Sequence, residues 1–187
     1  MRKTFLCSFV FLFVLNSFAQ NSQLRPLTKL DIGFQGAGFG FERRLFPAAT
    51  IDLSAGVGGG YEILPQDFTY SVNPSDVAGY LSVTPKFYYN VKKRSGAGKT
   101  TSFNSGNYFG LRIKYATKSF SENGEGEDAL LFNVHWGIQR VISKRWTINT
   151  HVGIGYAIDA SDLNKPSGAF YPSIGFNFSY VLNKLRS

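Results

Sequence analysis

One long segment, residues 146–158, constrains the fold more than any other feature of the chain. One parity is apolar with an aromatic residue near each end: Trp146, Ile148, Thr150, Val152, Ile154, Tyr156 and Ile158. The other parity is small and polar: Thr147, Asn149, His151, Gly153 and Gly155. Because successive side chains of a strand point to opposite faces, this alternation predicts a two-faced β-strand. It runs for about a dozen residues, whereas soluble strands average about 5–6 and tilted membrane strands need about 9–11.

The same alternation recurs along the chain, in segments 51–61, 81–90, 108–115, 130–139 and 170–182. The first candidate strand is less regular, because Leu30, Ile32 and Phe34 share one parity while Phe39 and Phe41 share the other. A β-bulge within Gln35–Gly38 would account for the slip, since glycine makes bulges inexpensive. This interpretation gives seven clear strands.

Seven strands conflict with the even number found in bacterial single-chain barrels. Residues 21–29 contain Pro26, which suits an edge strand that a closed barrel lacks. A hairpin within residues 30–45 would make strands too short to span a membrane. We therefore predict an all-β, antiparallel up-and-down transmembrane β-barrel of eight strands and leave the N-terminal strand unassigned.

The N-terminus has the pattern of a secretory signal peptide. Arg2 and Lys3 precede the apolar run Leu6–Leu15, and Ser17-Phe18-Ala19 provides small residues for cleavage. We expect a signal peptide at 1–19 and a barrel domain at 20–187. The single cysteine, Cys7, would leave with the signal, so no disulfide is expected in the mature chain. The absence of a later run of about 18 apolar residues excludes a helical membrane protein.

Alternation alone does not decide which face meets solvent. In a soluble secreted barrel that binds an apolar ligand, the apolar parity would point inward. Three features favour lipid outside: the long strands, the aromatic ends of the apolar faces, and reverse faces rich in Gly, Ser, Thr and Asn. The sequence therefore predicts a protein of the bacterial outer membrane, with the soluble barrel as an alternative.

The connections between strands fall into two groups that alternate along the chain. One group is basic and the other is longer and acidic, with the acidic loops at 62–76, 122–128 and 159–165. Alternation of this kind is expected for up-and-down strands, and such barrels have short periplasmic turns and longer external loops. We assign the basic turns to the periplasm and interpret the charges as a solvated rim, not as a nucleic-acid site.

Several stretches resemble small outer-membrane barrels of Bacteroidetes-type bacteria, a family whose members are mostly uncharacterised. They are the residues Thr84–Arg94 (TPKFYYNVKKR), Ser105–Leu111 (SGNYFGL) and Gly40–Arg43 (GFER). The chain is also broadly similar to eight-stranded barrels of enterobacteria, although it continues for five residues beyond Leu182. The resemblance implies a monomer that contacts outer-membrane lipid and lipopolysaccharide and is inserted by the barrel-assembly machinery.

Charged residues on the inward parity predict a polar lumen. An eight-stranded barrel is just wide enough for its own side chains, and charges buried there must pair. We predict a network in which three cations meet two carboxylates: Lys86, Arg112, Lys114, Asp52 and Glu42. This network is expected to fill the lumen, with a narrow pore as the alternative.

His135 and His151 are the two histidines of the chain, on the polar parity of neighbouring strands. They lie at similar heights counted from the turn at Ser143, which makes a metal pair or a catalytic base conceivable. Enterobacterial barrels that modify lipid A use His with Ser, and no matching His-x-Ser occurs here. We expect no catalysis, no cofactor and no metal, and a structural or surface-interaction role with a plugged lumen, with a lipid-A-modifying barrel enzyme as an alternative.

Overall fold

The computed structural model describes residues 24–64, 67–71, 76–121, 127–161 and 167–183. The predicted signal peptide, residues 1–19, lies outside these ranges. The described elements are β1 (Leu27–Gly33), β2 (Gly36–Phe46), β3 (Ala49–Gly58), β4 (Gly60–Leu64), β5 (Asp67–Ser71), β6 (Ala78–Tyr88), α1 (Val91–Gly96), a 3₁₀ turn (Ser102–Asn104), β7 (Gly106–Ser119), β8 (Ala129–Val141), β9 (Trp146–Asp159) and β10 (Gly168–Val181).

Eight of the strands form one closed antiparallel barrel in the order β1-β10-β9-β8-β7-β6-β3-β2. The predicted all-β antiparallel up-and-down barrel and its eight strands are therefore confirmed. Both ends of the described chain lie at the end of the barrel that carries the basic turns, as an even number of up-and-down strands requires. We call this the basic end and the opposite one the acidic end.

The predicted bulge in the first strand is wrong, because a hairpin lies there. β1 and β2 are joined by a tight turn at Phe34-Gln35, with Gly33 opposite Gly36 and Leu30 opposite Phe39. In this register an even-numbered residue of β1 faces an odd-numbered residue of β2, so the outward face changes parity across the turn. The rejected hairpin is thus the source of the eighth strand, which begins directly after Pro26.

The barrel closes through a short contact between its first and last strands, which we call the seam. β1 pairs with β10 from Lys29 opposite Val181 to Gly33 opposite Asn177. Two further hydrogen bonds extend it, from Phe34 N–H to the Phe176 carbonyl at 3.0 Å toward the acidic end and from Leu182 N–H to the Thr28 carbonyl at 2.8 Å at the basic end. Since β10 has 14 residues, much of its length toward the acidic end lies beyond the seam.

The segment predicted as an acidic external loop at 62–76 contains part of a small hairpin, β4–β5, which enters the acidic end of the barrel. Tyr61 and Ile63 of β4 are buried against inward-facing residues of four wall strands: Ala116, Ala129, Leu131, Ala157 and Tyr171. Short segments are hard to recognise as strands within a loop, because five residues carry little periodicity. The hairpin makes this connection a plug as well as a loop.

The connection at the basic end between β6 and β7 folds into α1 and the 3₁₀ turn. Phe103 of the turn is buried with Leu27 and Val181, and Asn104 is buried beside it. No helix in the described part of the chain is long and apolar enough to cross a membrane.

The wall strands place their apolar parity outside and their polar parity inside. Ile154 and Ile174 are 69% and 61% exposed, whereas Ser173 is 1% exposed. The interior of the barrel therefore consists largely of polar and aromatic side chains, and its outer surface is apolar.

The β1–β2 turn requires glycine at position 36, and this requirement can be tested. This residue has a φ of +115°, and an added Cβ would lie 2.0 Å from the Val57 carbonyl oxygen. We expect Gly36→Ala to lower the free energy of unfolding by at least about 1–2 kcal/mol, because the left-handed backbone is strained for alanine. Urea unfolding followed by tryptophan fluorescence measures the change. Gly96→Ala is the matched control, since nothing lies within 4 Å of its added Cβ. Equal stability of the two variants would contradict the assignment of this turn.

Candidate functional site

Glu42 organises the lumen at the basic end, where it is fully buried. Its Oε1 accepts hydrogen bonds from the Thr50 hydroxyl at 2.8 Å, the Asn104 amide at 2.9 Å and the Tyr88 hydroxyl at 3.1 Å. Lys86 Nζ lies 3.4 Å from Oε2. The carboxylate is therefore well satisfied, and through Asn104 it ties the 3₁₀ turn to the barrel wall.

A cluster of ion pairs lies next to Glu42. Asp52 Oδ2 accepts hydrogen bonds from Lys29 Nζ and Lys86 Nζ, both at 2.7 Å. Asp31 adds a second carboxylate 3.6 Å from Lys29 Nζ. All of these side chains are buried, so each charge depends on its partners for stabilisation.

The structure brings together part of the network predicted from the sequence. Lys86 contacts both predicted carboxylates, Asp52 and Glu42. Arg112 and Lys114 form no ion pair among the described residues. The second cation of the cluster is Lys29, which was missed because the segment before Leu30 had not been recognised as a strand.

Arg112 and Lys114 lie on the inward face of β7, nearer the acidic end. Arg112 contacts neutral groups: Nε lies 3.3 Å from the Thr84 hydroxyl, and NH1 lies 3.3 Å from the Gln35 amide oxygen. Lys114 Nζ donates to the Tyr61 hydroxyl at 2.8 Å and lies 4.4 Å from the centre of the Tyr80 ring. The carboxylates of the described lumen thus cluster toward the basic end, and two cations lie apart from them.

The histidine rings meet as the strand register predicts. Their centroids are 4.5 Å apart, His135 Nδ1 lies 2.7 Å from the Asn133 amide oxygen, and His151 Nε2 lies 3.4 Å from Arg112 NH1. No group of three or more potential metal ligands occurs among the described histidine, cysteine, aspartate and glutamate residues. The pair packs in the polar interior, and the ring of Tyr108 lies perpendicular to that of His135 with the centroids 5.8 Å apart.

A cavity of about 710 Å³ lies beside the β4–β5 hairpin. Its inner wall includes both cations of β7, together with Tyr61, Phe68, Tyr70, Asn133, Tyr171 and Ser173. Its lining also includes residues of the outward parity near the seam: Ile32, Phe34, Pro172, Ile174, Phe176 and Phe178. A cavity lined by both faces of the wall passes through the wall, and here it does so beside β10.

The β4–β5 hairpin covers this cavity and is held by aromatic contacts. The Phe68 ring stacks on Tyr171 with centroids 4.5 Å apart. The Tyr70 hydroxyl donates to the Phe34 carbonyl at 3.2 Å and accepts from the Gly59 N–H at 3.2 Å. Burial, with smaller effects from neighbouring tyrosines, raises the pKa of the Tyr61 hydroxyl far above its ordinary range. Tyr61 therefore remains a neutral phenol and supplies no counter-charge to Lys114.

Comparisons with family models, with curated proteins and with solved structures found no match to this chain.

The ion cluster predicts a large effect of removing its central carboxylate. We expect Asp52→Asn to destabilise the folded barrel by about 3–5 kcal/mol, because Lys29 and Lys86 would remain buried without a full counter-charge. The midpoint of urea unfolding, measured with each variant in the same lipid or detergent, reports this loss.

The matched control is Asp67→Asn, which removes an exposed carboxylate in β5 that bonds the next backbone N–H. We expect Asp52→Asn combined with Lys86→Met to cost less than the sum of the single changes, as coupled partners do. Additive losses would argue against the ion pair.

Proposed function

We propose that this protein is an integral outer-membrane β-barrel with a structural or surface-interaction role and a lumen closed to ion flow. The observation that carries the proposal is the apolar outer surface of the barrel wall. A soluble barrel would leave this surface in water, which is unfavourable for an apolar area of such extent. A hydrocarbon environment removes that cost.

Aromatic side chains meet near both ends of the outer surface. Trp146 contacts Tyr180 at the basic end, with ring centroids 5.2 Å apart, and Tyr156 contacts Phe170 at the acidic end at 4.9 Å. The ten residue steps from Trp146 to Tyr156, at about 3.3 Å per step and a tilt of about 40°, correspond to a height of about 25 Å. This height matches the apolar band of outer-membrane barrels, whose aromatic girdles lie at the two interfaces.

The packing of the lumen supports a closed barrel. The Glu42 layer and the 3₁₀ turn fill the basic end, and the β4–β5 hairpin fills part of the acidic end. Beside the Glu42 layer, the Tyr108 hydroxyl donates to Asn149 at 2.8 Å, the Asn149 amide donates to Gln139 at 2.9 Å, and the Gln139 amide donates to the Phe103 carbonyl of the 3₁₀ turn at 2.8 Å. Side chains that satisfy one another in this way leave little room for a hydrated ion path.

The distribution of charge supports an orientation with the basic end in the periplasm and the acidic loops outside. In this orientation the β4–β5 hairpin faces the cell exterior, where a surface interaction would occur. We propose a monomer that contacts outer-membrane lipid and lipopolysaccharide and requires the barrel-assembly machinery. The alternative of a soluble barrel would require the apolar parity to face inward, opposite to the arrangement of the strands.

Membrane embedding predicts that a charge in the middle of the outer surface is costly. We expect Ile154→Lys, in phospholipid vesicles, to lower the free energy of unfolding by about 2–4 kcal/mol, whereas Leu182→Lys near the basic rim should cost about 0–1 kcal/mol. Urea unfolding of the vesicle-inserted protein measures both. In a soluble barrel an exposed Ile154→Lys would be nearly neutral.

The barrel is also expected to migrate differently on denaturing gels before and after boiling, and to fractionate with outer membranes. Recovery as a detergent-independent periplasmic species would falsify the proposed location.

The closed lumen predicts electrical silence. Planar bilayers containing the purified full-length protein should show no discrete conductance steps, because both plugs and the ion cluster fill the interior. The measurement is repeated with Arg112→Ala as a variant of the lumen and Arg43→Ala as a control on an exposed side chain. Discrete steps in the native protein that change with Arg112→Ala and not with Arg43→Ala would favour the narrow pore instead.

A further inference from the structure

The part of β10 nearer the acidic end has an edge that pairs with no described strand. In an antiparallel strand, the N–H and C=O of one residue point to the same side, and every second residue shares that side. The Phe176 carbonyl points to β1, where it accepts from Phe34 N–H. The backbone groups of Ile174, Pro172 and Phe170 therefore point the same way, but no described strand pairs with them there.

Pro172 fits this edge. Proline has no N–H to donate and is confined in sheets to edges, strand starts and bulges. The backbone nitrogen of Pro172 points toward the seam. Because it carries no N–H, this edge has one fewer donor that would need a partner. The short β1 and the proline together leave a gap in the wall between the β1–β2 turn and β10.

The gap and the cavity are continuous. Ile174 and Phe176 line the cavity from the outward parity, and Tyr171 and Ser173 line it from the inward parity of the same strand. Unpaired backbone at membrane depth is tolerated only where it is buried in protein or lines a water-filled cavity. The open edge of β10 is therefore compatible with a membrane because it borders this cavity.

The lining has the chemistry of an amphiphile site. Phe68, Tyr171 and the outward residues provide an apolar surface, whereas Arg112 and Lys114 provide cationic donors without a carboxylate partner among the described residues. The Arg112 guanidinium can hold a carboxylate through two parallel hydrogen bonds.

Ser173 gives an independent indication of a polar ligand. The residue is 1% exposed and lines the cavity, and its buried hydroxyl has no hydrogen-bond partner among the described residues. Buried hydroxyls are nearly always bonded, and an unsatisfied one in a cavity can serve a bound group.

We propose that this cavity binds a fatty acid, a single-chain amphiphile with a carboxylate headgroup, which enters from the membrane through the gap beside β10. The carboxylate lies at Arg112 and Lys114, and the chain runs along the aromatic lining toward Ile174 and Phe176. The volume falls within the range of about 300–1,000 Å³ found for small-molecule sites and suits one chain. The route of entry rests on the proposed membrane location, whereas the binding site does not.

The binding site is tested by titrating cis-parinaric acid, a fluorescent fatty acid, into the folded full-length barrel held in amphipol. We expect saturable binding that Arg112→Gln and Lys114→Gln each weaken about tenfold, since a hydrogen bond to a charged group contributes about that much. Competition by hexadecanol, which lacks the charge, should be unchanged in both variants. Arg43→Gln, on the exposed outer surface of β2, removes a cation elsewhere and should leave affinity unchanged.

A difference in gel mobility between boiled and unboiled samples confirms that each variant is folded before it is titrated. Absence of saturable binding by the native barrel, or equal weakening by Arg43→Gln, would overturn the site. Unchanged affinity in both Arg112→Gln and Lys114→Gln would also overturn it.

The route is tested by the rate at which the barrel in phospholipid vesicles takes up the same probe. Ile174→Trp narrows the gap and should slow uptake several-fold, whereas Leu81→Trp enlarges an equally exposed outer residue on β6, away from the seam. Equal rates in the two variants would overturn lateral entry. Binding in amphipol is independent of location, and fractionation is independent of binding, so the failure of one proposal is distinguishable from the failure of the other.

Discussion

Asp52 accepts hydrogen bonds from Lys29 and Lys86 in a barrel interior too narrow to surround these charges with bulk water. The three residues belong to β1, β3 and β6, and Glu42 adds β2 to the same set of contacts. Four consecutive wall strands are therefore held by charges that are stable as a group and costly if separated. Because β1 is the short strand that closes the barrel, its Lys29 also links closure of the wall to filling of the lumen.

Much of the wall could be predicted from alternation, since strands such as β9 are long enough for both faces to be recognised. The first hairpin could not, because a two-residue turn and a bulge both shift the outward parity between Phe34 and Phe39. The bulge was preferred over the hairpin because membrane strands were assumed to be long. This assumption fails for β1, which has only seven residues. A neighbour of Pro26 can begin a strand, because proline is acceptable at a strand's first positions.

The alternation of the sequence predicts which side chains face the lumen. It does not predict how far along the barrel axis each side chain lies. Lys86, Asp52 and Glu42 share the inward face of adjacent strands, so their contact follows from the pattern. Arg112 and Lys114 also face inward, but the stagger between strands places them nearer the acidic end than the carboxylates. Tyr70 lies in a segment interpreted as a loop, and Tyr61 was assigned to the end of the preceding strand instead of to β4. Their contacts depend on tertiary packing that local sequence does not report.

The seam joins residues from opposite ends of the chain, Lys29 and Val181. All other neighbouring wall strands are consecutive in sequence, apart from β3 and β6, which are separated by the β4–β5 hairpin. Pairing β1 with β10 thus brings together the two strands that are furthest apart in sequence. Among the strand pairs of the wall, this one has the largest entropic cost of chain closure. A chain shortened before β10 would retain most strand pairs as an open sheet, with its charged inner face uncovered. Completion of the last strand therefore separates a closed barrel from an open sheet that proteases and chaperones can recognise.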